Sequence, residues 1–333
     1  MTERKLASIQ RIAEIKSIPD ADLICAYRIN GWWVVGKKDE FIVDDLVVYI
    51  EVDSWIPTHL APFLSKGKEP KEYMGIKGER LRTIKLKKQI SQGLILGIDT
   101  IDSFLINEGD AITDYFSIIK WEAPTEFLSA AAKGNFPSFI PKTDQERIQN
   151  IPRELKAYNN QDDLWQRSEK IDGSSITIFV NAEESGVCSR NLELKEDDTN
   201  TWWKLTKQYN IIDKIKSMNR NLAIQGEIYG SSINGNLYNL TDQRLMVYNI
   251  YDIDNNEYLN PEEALNICIE YSIPHVPVIN NTNIKGTMQD FIDKADGNSI
   301  INPLCIKEGD VYKNLITKES FKVISNSYLL KRD

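Results

Sequence analysis

A lysine and an aspartate two residues apart run into a glycine in Ser168-Glu169-Lys170-Ile171-Asp172-Gly173-Ser174-Ser175, flanked by the strand-like stretches Leu164–Arg167 and Ile176–Val180. On an extended backbone alternate side chains share a face, so Lys170 and Asp172 are expected to project together. Gly173 allows a tight turn or a close backbone approach. This element confines its part of the fold to paired strands presenting an amine and a carboxylate on one face. The same pattern also describes an ordinary surface hairpin, because Asp-Gly commonly marks a turn.

An amine is a nucleophile only when neutral, and a lysine at its reference pKa is neutral in roughly one molecule in 10³ near pH 7. A divalent cation held by nearby carboxylates would lower that pKa by charge repulsion and would neutralise a phosphate under attack. Carboxylates suited to this recur downstream. Gly226-Glu227-Ile228-Tyr229-Gly230 follows the apolar stretch Leu222–Ile224, and Lys307-Glu308-Gly309-Asp310-Val311-Tyr312-Lys313 follows Leu304–Ile306. Between them, the run from Leu245 to Asp252 is β-branched and aromatic, able to present a ring to a purine. Ser320–Asn326 places Lys322 in another short strand.

Taken in order, Lys-x-Asp-Gly, Ser189-Arg190-Asn191, Gly-Glu-x-x-Gly, an aromatic-Asp strand, Glu-Gly-x-Val and a strand lysine resemble the motif series of the covalent nucleotidyltransferases, which include DNA ligases, RNA ligases and mRNA capping enzymes. The resemblance implies a nucleophilic Lys170 that forms a phosphoramidate with a nucleoside monophosphate. It places Glu169 near the base amino group, and Asp172, Glu227 and Glu308 as carboxylates that engage the ribose or hold Mg²⁺ or Mn²⁺. Gly173 belongs to the same nucleotide-binding element. Arg190 falls near the ribose and the incoming phosphate end, and Lys322 on the α-phosphate. Tyr251, before Asp252, matches the aromatic that stacks on the base, with Tyr248 as the alternative. Ser175 departs from the pattern, since many RNA ligases carry asparagine there.

The 333-residue length accommodates two domains. No apolar run reaches 18 residues, and Met1–Lys5 lacks a signal-peptide stretch, so a soluble protein of the cell interior and no membrane association are expected. Cys25, Cys188, Cys268 and Cys305 are far apart and form no Cys-x-x-Cys, which indicates neither a disulfide framework nor a zinc site. With only His59 and His275, histidine-based catalysis has little to work with. A net charge of −9 sits awkwardly with nucleic-acid binding unless the basic residues cluster. They do cluster: the nine residues from Arg80 to Lys88 hold Arg80, Arg82, Lys85, Lys87 and Lys88 and no acid. This stretch is expected to be an RNA-contacting strand, with a bulge near Thr83 to bring the charges to one face. A solvated edge kept from aggregating by lysines would look the same.

Residues 1–115 read as short strands (Ala26–Ile29, Trp32–Gly36, Leu46–Ile50, Leu81–Leu86 and Leu94–Ile98), consistent with an OB-fold β-barrel that binds RNA. Residues 116–142 read as a linker, with Phe136–Pro141 extended and rigid. Residues 143–333 read as the catalytic domain, opening on a capping box, Thr143-Asp144-Gln145-Glu146, and a helix that includes Arg147 and Gln149. Pro141–Asp144 with Arg147 and Gln149 resembles an element that RNA ligases carry near the nucleotide, so Lys142, Arg147 and Gln149 are secondary candidates. Arg80–Thr83 with Ser91–Leu94 resembles the amino-terminal OB domain of the fifth family of ATP-dependent RNA ligases, the Deinococcus/Naegleria type. DNA ligases and capping enzymes place an OB domain after the last lysine motif, whereas eleven residues follow Lys322 here.

The resemblance implies an α+β protein: an amino-terminal OB-fold barrel, then an ATP-grasp-like adenylyltransferase domain of antiparallel sheets flanked by helices. It implies ATP-dependent sealing of 3′-OH and 5′-phosphate RNA ends through lysyl-AMP, acting as a monomer on nicked duplex. The alternatives are a DNA ligase, a GTP-using capping-type enzyme, or a non-catalytic RNA-binding protein that keeps the fold.

Overall fold

The computed structural model describes residues 5–101, 106–122 and 131–332. It divides into two compact units: Met1–Pro124 with Gln149–Pro152 and Leu329–Asp333, and Thr125–Ile148 with Arg153–Tyr328. Residues 123–130 of the expected linker lie outside the described residues.

The first unit is built almost wholly from strands. β1 (Ala7–Ser17), β2 (Ile24–Ile29), β3 (Trp32–Lys37), β4 (Leu46–Ile50) and β10 (Leu94–Gly97) form one sheet in the order β10-β4-β1-β2-β3. β5 (Ser54–Pro57), β6 (Lys71–Tyr73), β7 (Ile76–Arg80) and β11 (Ile119–Lys120) form a second, and β8 (Ile84–Leu86) pairs with β9 (Gln89–Ser91). β1 pairs with β4 through Ala7–Arg11 and with β2 through Ile12–Ser17, with a register shift between Ile12 and Glu14. Such a bulge bends a strand, here curling one sheet around the core. Ile9, Val48, Ile50 and Phe116 fill one side of that core, and Tyr27, Trp32, Val34 and Tyr49 fill another.

The basic stretch departs from expectation. It is broken into the end of β7, an irregular turn at Leu81–Thr83, and the β8–β9 hairpin, so it forms no single strand with a bulged basic face. Leu81 and Thr83 are buried, which pulls that stretch out of strand pairing and into the core. Arg80 is committed internally: its guanidinium bonds the Asp53 carboxylate at 2.6 Å and lies 4.0 Å from the centre of the Trp121 ring. Lys85, Lys87 and Lys88 are exposed on the hairpin, with Lys87 (φ 48°) and Lys88 (φ 69°) at its tip. Two positive φ values in a two-residue hairpin turn normally select Asn and Gly.

The second unit contains two sheets. The larger runs β12-β17-β16-β15-β18-β19-β20, from β12 (Ala132–Asn135), β15 (Ser174–Asn181), β16 (Glu184–Cys188), β17 (Leu192–Leu194), β18 (Leu222–Gly230), β19 (Gln243–Asp252) and β20 (Glu257–Tyr258). One face carries Ile176, Ile178, Val187, Leu222, Ile224 and Ile228 against Trp203, Leu205, Ile211, Ile215 and Ala264 from the helices Thr201–Gln208, Ile211–Ser217 and Pro261–Glu270. The smaller sheet runs β13-β23-β22-β14-β21, from β13 (Glu146–Arg147), β14 (Leu164–Lys170), β21 (Val278–Asn283), β22 (Gly309–Asn314) and β23 (Ser320–Ile324). Trp165, Phe291, Tyr312 and Phe321 interlock beneath it.

Two expectations for residues 136–150 are corrected. Phe136, Phe139 and Ile140 pack on Phe179, Ala223 and Tyr251, because three large apolar groups gain more from burial than an extended linker would allow. No helix opens at Thr143. Glu146 and Arg147 pair in parallel with Phe321 and Lys322, and the first α-helix afterwards is Pro152–Asn159. Strand pairing therefore overrides the local capping signal.

Candidate active site

β14 and β22 pair antiparallel with Lys170 opposite Gly309, Ser168 opposite Val311 and Gln166 opposite Lys313. Their alternation sends Ser168, Lys170, Val311 and Lys313 to one side, where they line a cleft. The larger sheet closes the cleft with Ser175, Glu227 and Tyr248, and Arg190, Lys322 and the Thr143–Gln145 segment complete it. Residues far apart in sequence thus converge because two sheets face each other across one gap.

Lys170 Nζ lies 2.8 Å from Glu308 Oε1, and Glu308 Oε2 is buried with no hydrogen-bond partner among the described residues. Burial pulls the Lys170 pKa down, but Glu308, Glu227 and Asp172 outweigh it and hold the ammonium above the usual lysine value. Burial, reinforced by Glu308 and Asp172 against the pull of Lys170, pushes Glu227 up to about 8. Three carboxylates, Glu308, Glu227 and Asp172, thus act on the one amine of Lys170, a donor set suited to a hard cation. Among the described residues, no three Asp, Glu, His or Cys side chains come close enough to hold a metal directly, so an ion here would rely on water or substrate oxygens.

The raised Glu227 pKa has a measurable consequence. Because the folded value lies above the unfolded one, the fold holds an extra proton between roughly pH 4.5 and about 8, and stability falls as pH rises through that window. Glu227→Gln removes this dependence. The variant is expected to melt at the wild-type temperature near pH 4 and several degrees higher near pH 9; parallel melting curves at both pH values would contradict it.

Asp172 lies just beyond β14, where Asn234 and Tyr328 donate to its Oδ1 at 2.6 and 2.9 Å. Lys322 bonds Asp144 at 2.8 Å and Arg190 approaches the same carboxylate at 3.5 Å. Two cations in the cleft are thereby drawn to one anion. Lys313, which the sequence reading passed over, is buried, and desolvation lowers its pKa to about 7. Its amine donates to the Tyr248 carbonyl and, at 2.5 Å, to Asn249 Oδ1. The signal for it was parity, since Lys313 follows Val311 by two on β22.

Several expected positions fall elsewhere. Tyr251 is buried with Phe179 and Tyr258 and does not line the cleft, whereas Tyr248 does. The cause is a register shift in which Gln225 faces Asn249 while Gly226 faces Val247, leaving Tyr248 as the extra residue. The bulge sends Tyr248 and Tyr251 to the same face, and only Tyr248 lines the cleft with Glu227. Gly226 permits it, because a Cβ there would meet the Met246 carbonyl at 2.4 Å.

Glu169 borders the cleft, yet its carboxylate turns to the opposite side of β14, accepting from Ser299 Oγ at 2.5 Å and Ile300 N at 2.7 Å. Gly173 serves close packing, since a Cβ would come within 2.1 Å of the Ile228 carbonyl. Lys142 is exposed and bonds Asn191 at 2.9 Å. Arg147 and Gln149 are buried and outside the cleft lining. Gln149 belongs to the first unit, where its carbonyl accepts from Gly31 N at 2.9 Å.

A family model described as RNA ligase matches residues 163–324, and an OB-fold domain model matches residues 6–98. Among solved structures, an apo form of Naegleria gruberi RNA ligase superposes with a TM-score of 0.93 at 39% identity, over 99% of this chain and 98% of that one. The chain belongs to the RNA ligase family. The same Naegleria enzyme with AMP and Mn superposes at 0.92 and 39% identity, over 99% of this RNA ligase and 100% of that chain. With ATP and Mn it superposes at 0.91, with the same identity and coverage. No curated protein matches the RNA ligase described here. The expected architecture, an amino-terminal OB fold before a mixed α+β ligase domain, holds.

Proposed function

We propose that this chain, an ATP-dependent RNA ligase that uses a divalent metal, joins 3′-OH and 5′-phosphate RNA ends through a lysyl-AMP formed on Lys170. The observation that carries the residue assignment is the Lys170–Glu308 pair at 2.8 Å, inside a cleft that also holds Glu227, Arg190, Lys322 and Tyr248. The Lys170 amine attacks the α-phosphorus of ATP; an N–P bond forms, the P–O bond to pyrophosphate breaks, and the ammonium proton is lost. AMP then passes to an RNA 5′-phosphate, and the 3′-OH displaces it. Each step is in-line displacement at phosphorus, so placement and charge neutralisation carry most of the catalysis.

The surrounding residues support those demands. Tyr248, which lines the cleft with Glu227, offers a ring to the adenine, and Lys313 lies beneath the same ring at 5.8 Å. Lys322 and Arg190 exchange Asp144 for phosphate oxygens. A divalent ion would supply charge neutralisation at the phosphates, and Glu308, Glu227 and Asp172 are the side chains that would hold it. Lys170, ion-paired to Glu308 and held charged by the neighbouring carboxylates, must give up its proton before its amine attacks.

The first test is transfer of radiolabel from [α-³²P]ATP to the protein. Label is expected with ATP and Mg²⁺ or Mn²⁺, not with GTP, and EDTA should abolish it; EDTA-resistant labelling would contradict the metal requirement. Sealing of a nicked RNA duplex, compared with a DNA nick, then tests the substrate. Among the described residues no helix is long and apolar enough to cross a membrane.

A further inference from the structure

Asp172 is placed by groups that the nucleotide chemistry does not itself explain. β14 ends at Lys170 and β15 begins at Ser174, so Asp172 stands between strands. Its setting comes from two other segments. The loop joining β18 to β19 supplies Asn234, which donates to Asp172 Oδ1 at 2.6 Å, and Tyr238, whose hydroxyl accepts from Asp172 N at 2.8 Å. The helix Asn326–Arg332 supplies Tyr328, whose hydroxyl donates to the same Oδ1 at 2.9 Å.

These groups are themselves held. Tyr238 is fully buried, packs edge-on to Tyr229 at 5.6 Å, and its carbonyl accepts from Asn302 at 2.8 Å. Tyr328 is nearly buried, and Ser325 Oγ accepts its backbone N–H at 3.1 Å. Two donors on one oxygen fix the direction of the carboxylate. A core serving stability alone would do better with an apolar side chain in place of this buried carboxylate.

We propose that Tyr328, Asn234 and Tyr238 are positioning residues that orient Asp172 for transfer of AMP to Lys170. The inference rests on the reading of Lys170 as nucleophile and of Asp172 as a group that engages the bound nucleotide. It extends the working site to a loop and a carboxy-terminal helix that line none of the cleft.

The test is a double-mutant cycle on the full-length chain, read by single-turnover transfer of radiolabelled AMP. Tyr328→Phe keeps the ring and removes one hydrogen bond, and Asn234→Gly keeps the left-handed backbone (φ 43°) while removing the other. Each is expected to slow transfer at saturating ATP by about tenfold, beyond any change in the ATP dissociation constant, with the protein folded at the assay temperature. In an Asp172→Ala background the same substitutions should change the rate by less than about twofold. Equal slowing in both backgrounds, or slowing in neither, would overturn the inference while leaving the role of Asp172 intact. Wild-type transfer by Asp172→Ala alone would remove the reading of Asp172, and the inference with it.

Discussion

Replacing Lys170 by alanine or methionine abolishes AMP transfer, with a loss on the order of 10⁴-fold or more expected for a missing nucleophile. The cleft holds two other lysines, and neither stands ready to substitute. Lys322 is paired with Asp144 at 2.8 Å. Lys313 is the serious rival, because its pKa near 7 leaves much of it neutral under conditions where Lys170 is charged. Charge state alone would favour Lys313. Its amine, however, is spent on the Tyr248 carbonyl and Asn249, with no carboxylate beside it to draw in a metal-bound phosphate. Lys170 has Glu308 at 2.8 Å and the fields of Glu227 and Asp172. Lys313→Ala is accordingly expected to retain labelling at a reduced rate, and Lys170→Met to lose it. Mass spectrometry of the trapped adenylate checks both: a label on the peptide containing Lys313 would move the nucleophile.

The legible part of the site was the part written in strand parity and residue type. Lys170, Glu227, Arg190 and Lys322 come around one cleft, with Glu308 paired to Lys170 beside it. Register breaks were not legible. A two-residue alternation predicts opposite faces for Tyr248 and Tyr251; the bulge at Gly226 puts both on one face and only Tyr248 in the cleft. β1 was hidden for a different reason: Ile9 and Ile12, three residues apart, pack into two separate clusters, so the strand shows no one-sided alternation. Residues 143–150 misled for another reason. A capping signal is worth about 1 kcal/mol, less than the pairing of Glu146 and Arg147 with β23 together with the burial of Ile148.

Removing the first unit separates attachment of AMP from sealing. A fragment beginning near Ala132 keeps both sheets of the cleft and is expected to accept AMP from ATP. Its sealing of nicked RNA duplex should fall by about 10²-fold or more, since each lost phosphate contact weakens a charge-driven association. The exposed hairpin lysines are the candidates for those contacts. Lys87 and Lys88 are exposed at the tip, where their ammonium groups are open to a phosphate backbone. Arg80, tied to Asp53 and stacked on Trp121, is expected to serve the fold instead. Neutralising Lys85, Lys87 and Lys88 to glutamine in the full chain should therefore weaken RNA binding and flatten its salt dependence, with lysine adenylylation near wild type. Arg80→Gln should instead lower the melting temperature. AMP attachment in the fragment is expected to be slower than in the full chain. Gln149–Pro152 groups with the first unit, where Trp32 and Glu51 bond Asn150 at 2.6 and 2.7 Å, and it directly follows the strand that pairs with Lys322. Equal loss of attachment and sealing in the fragment would mean that the first unit supports the cleft and does not grip RNA.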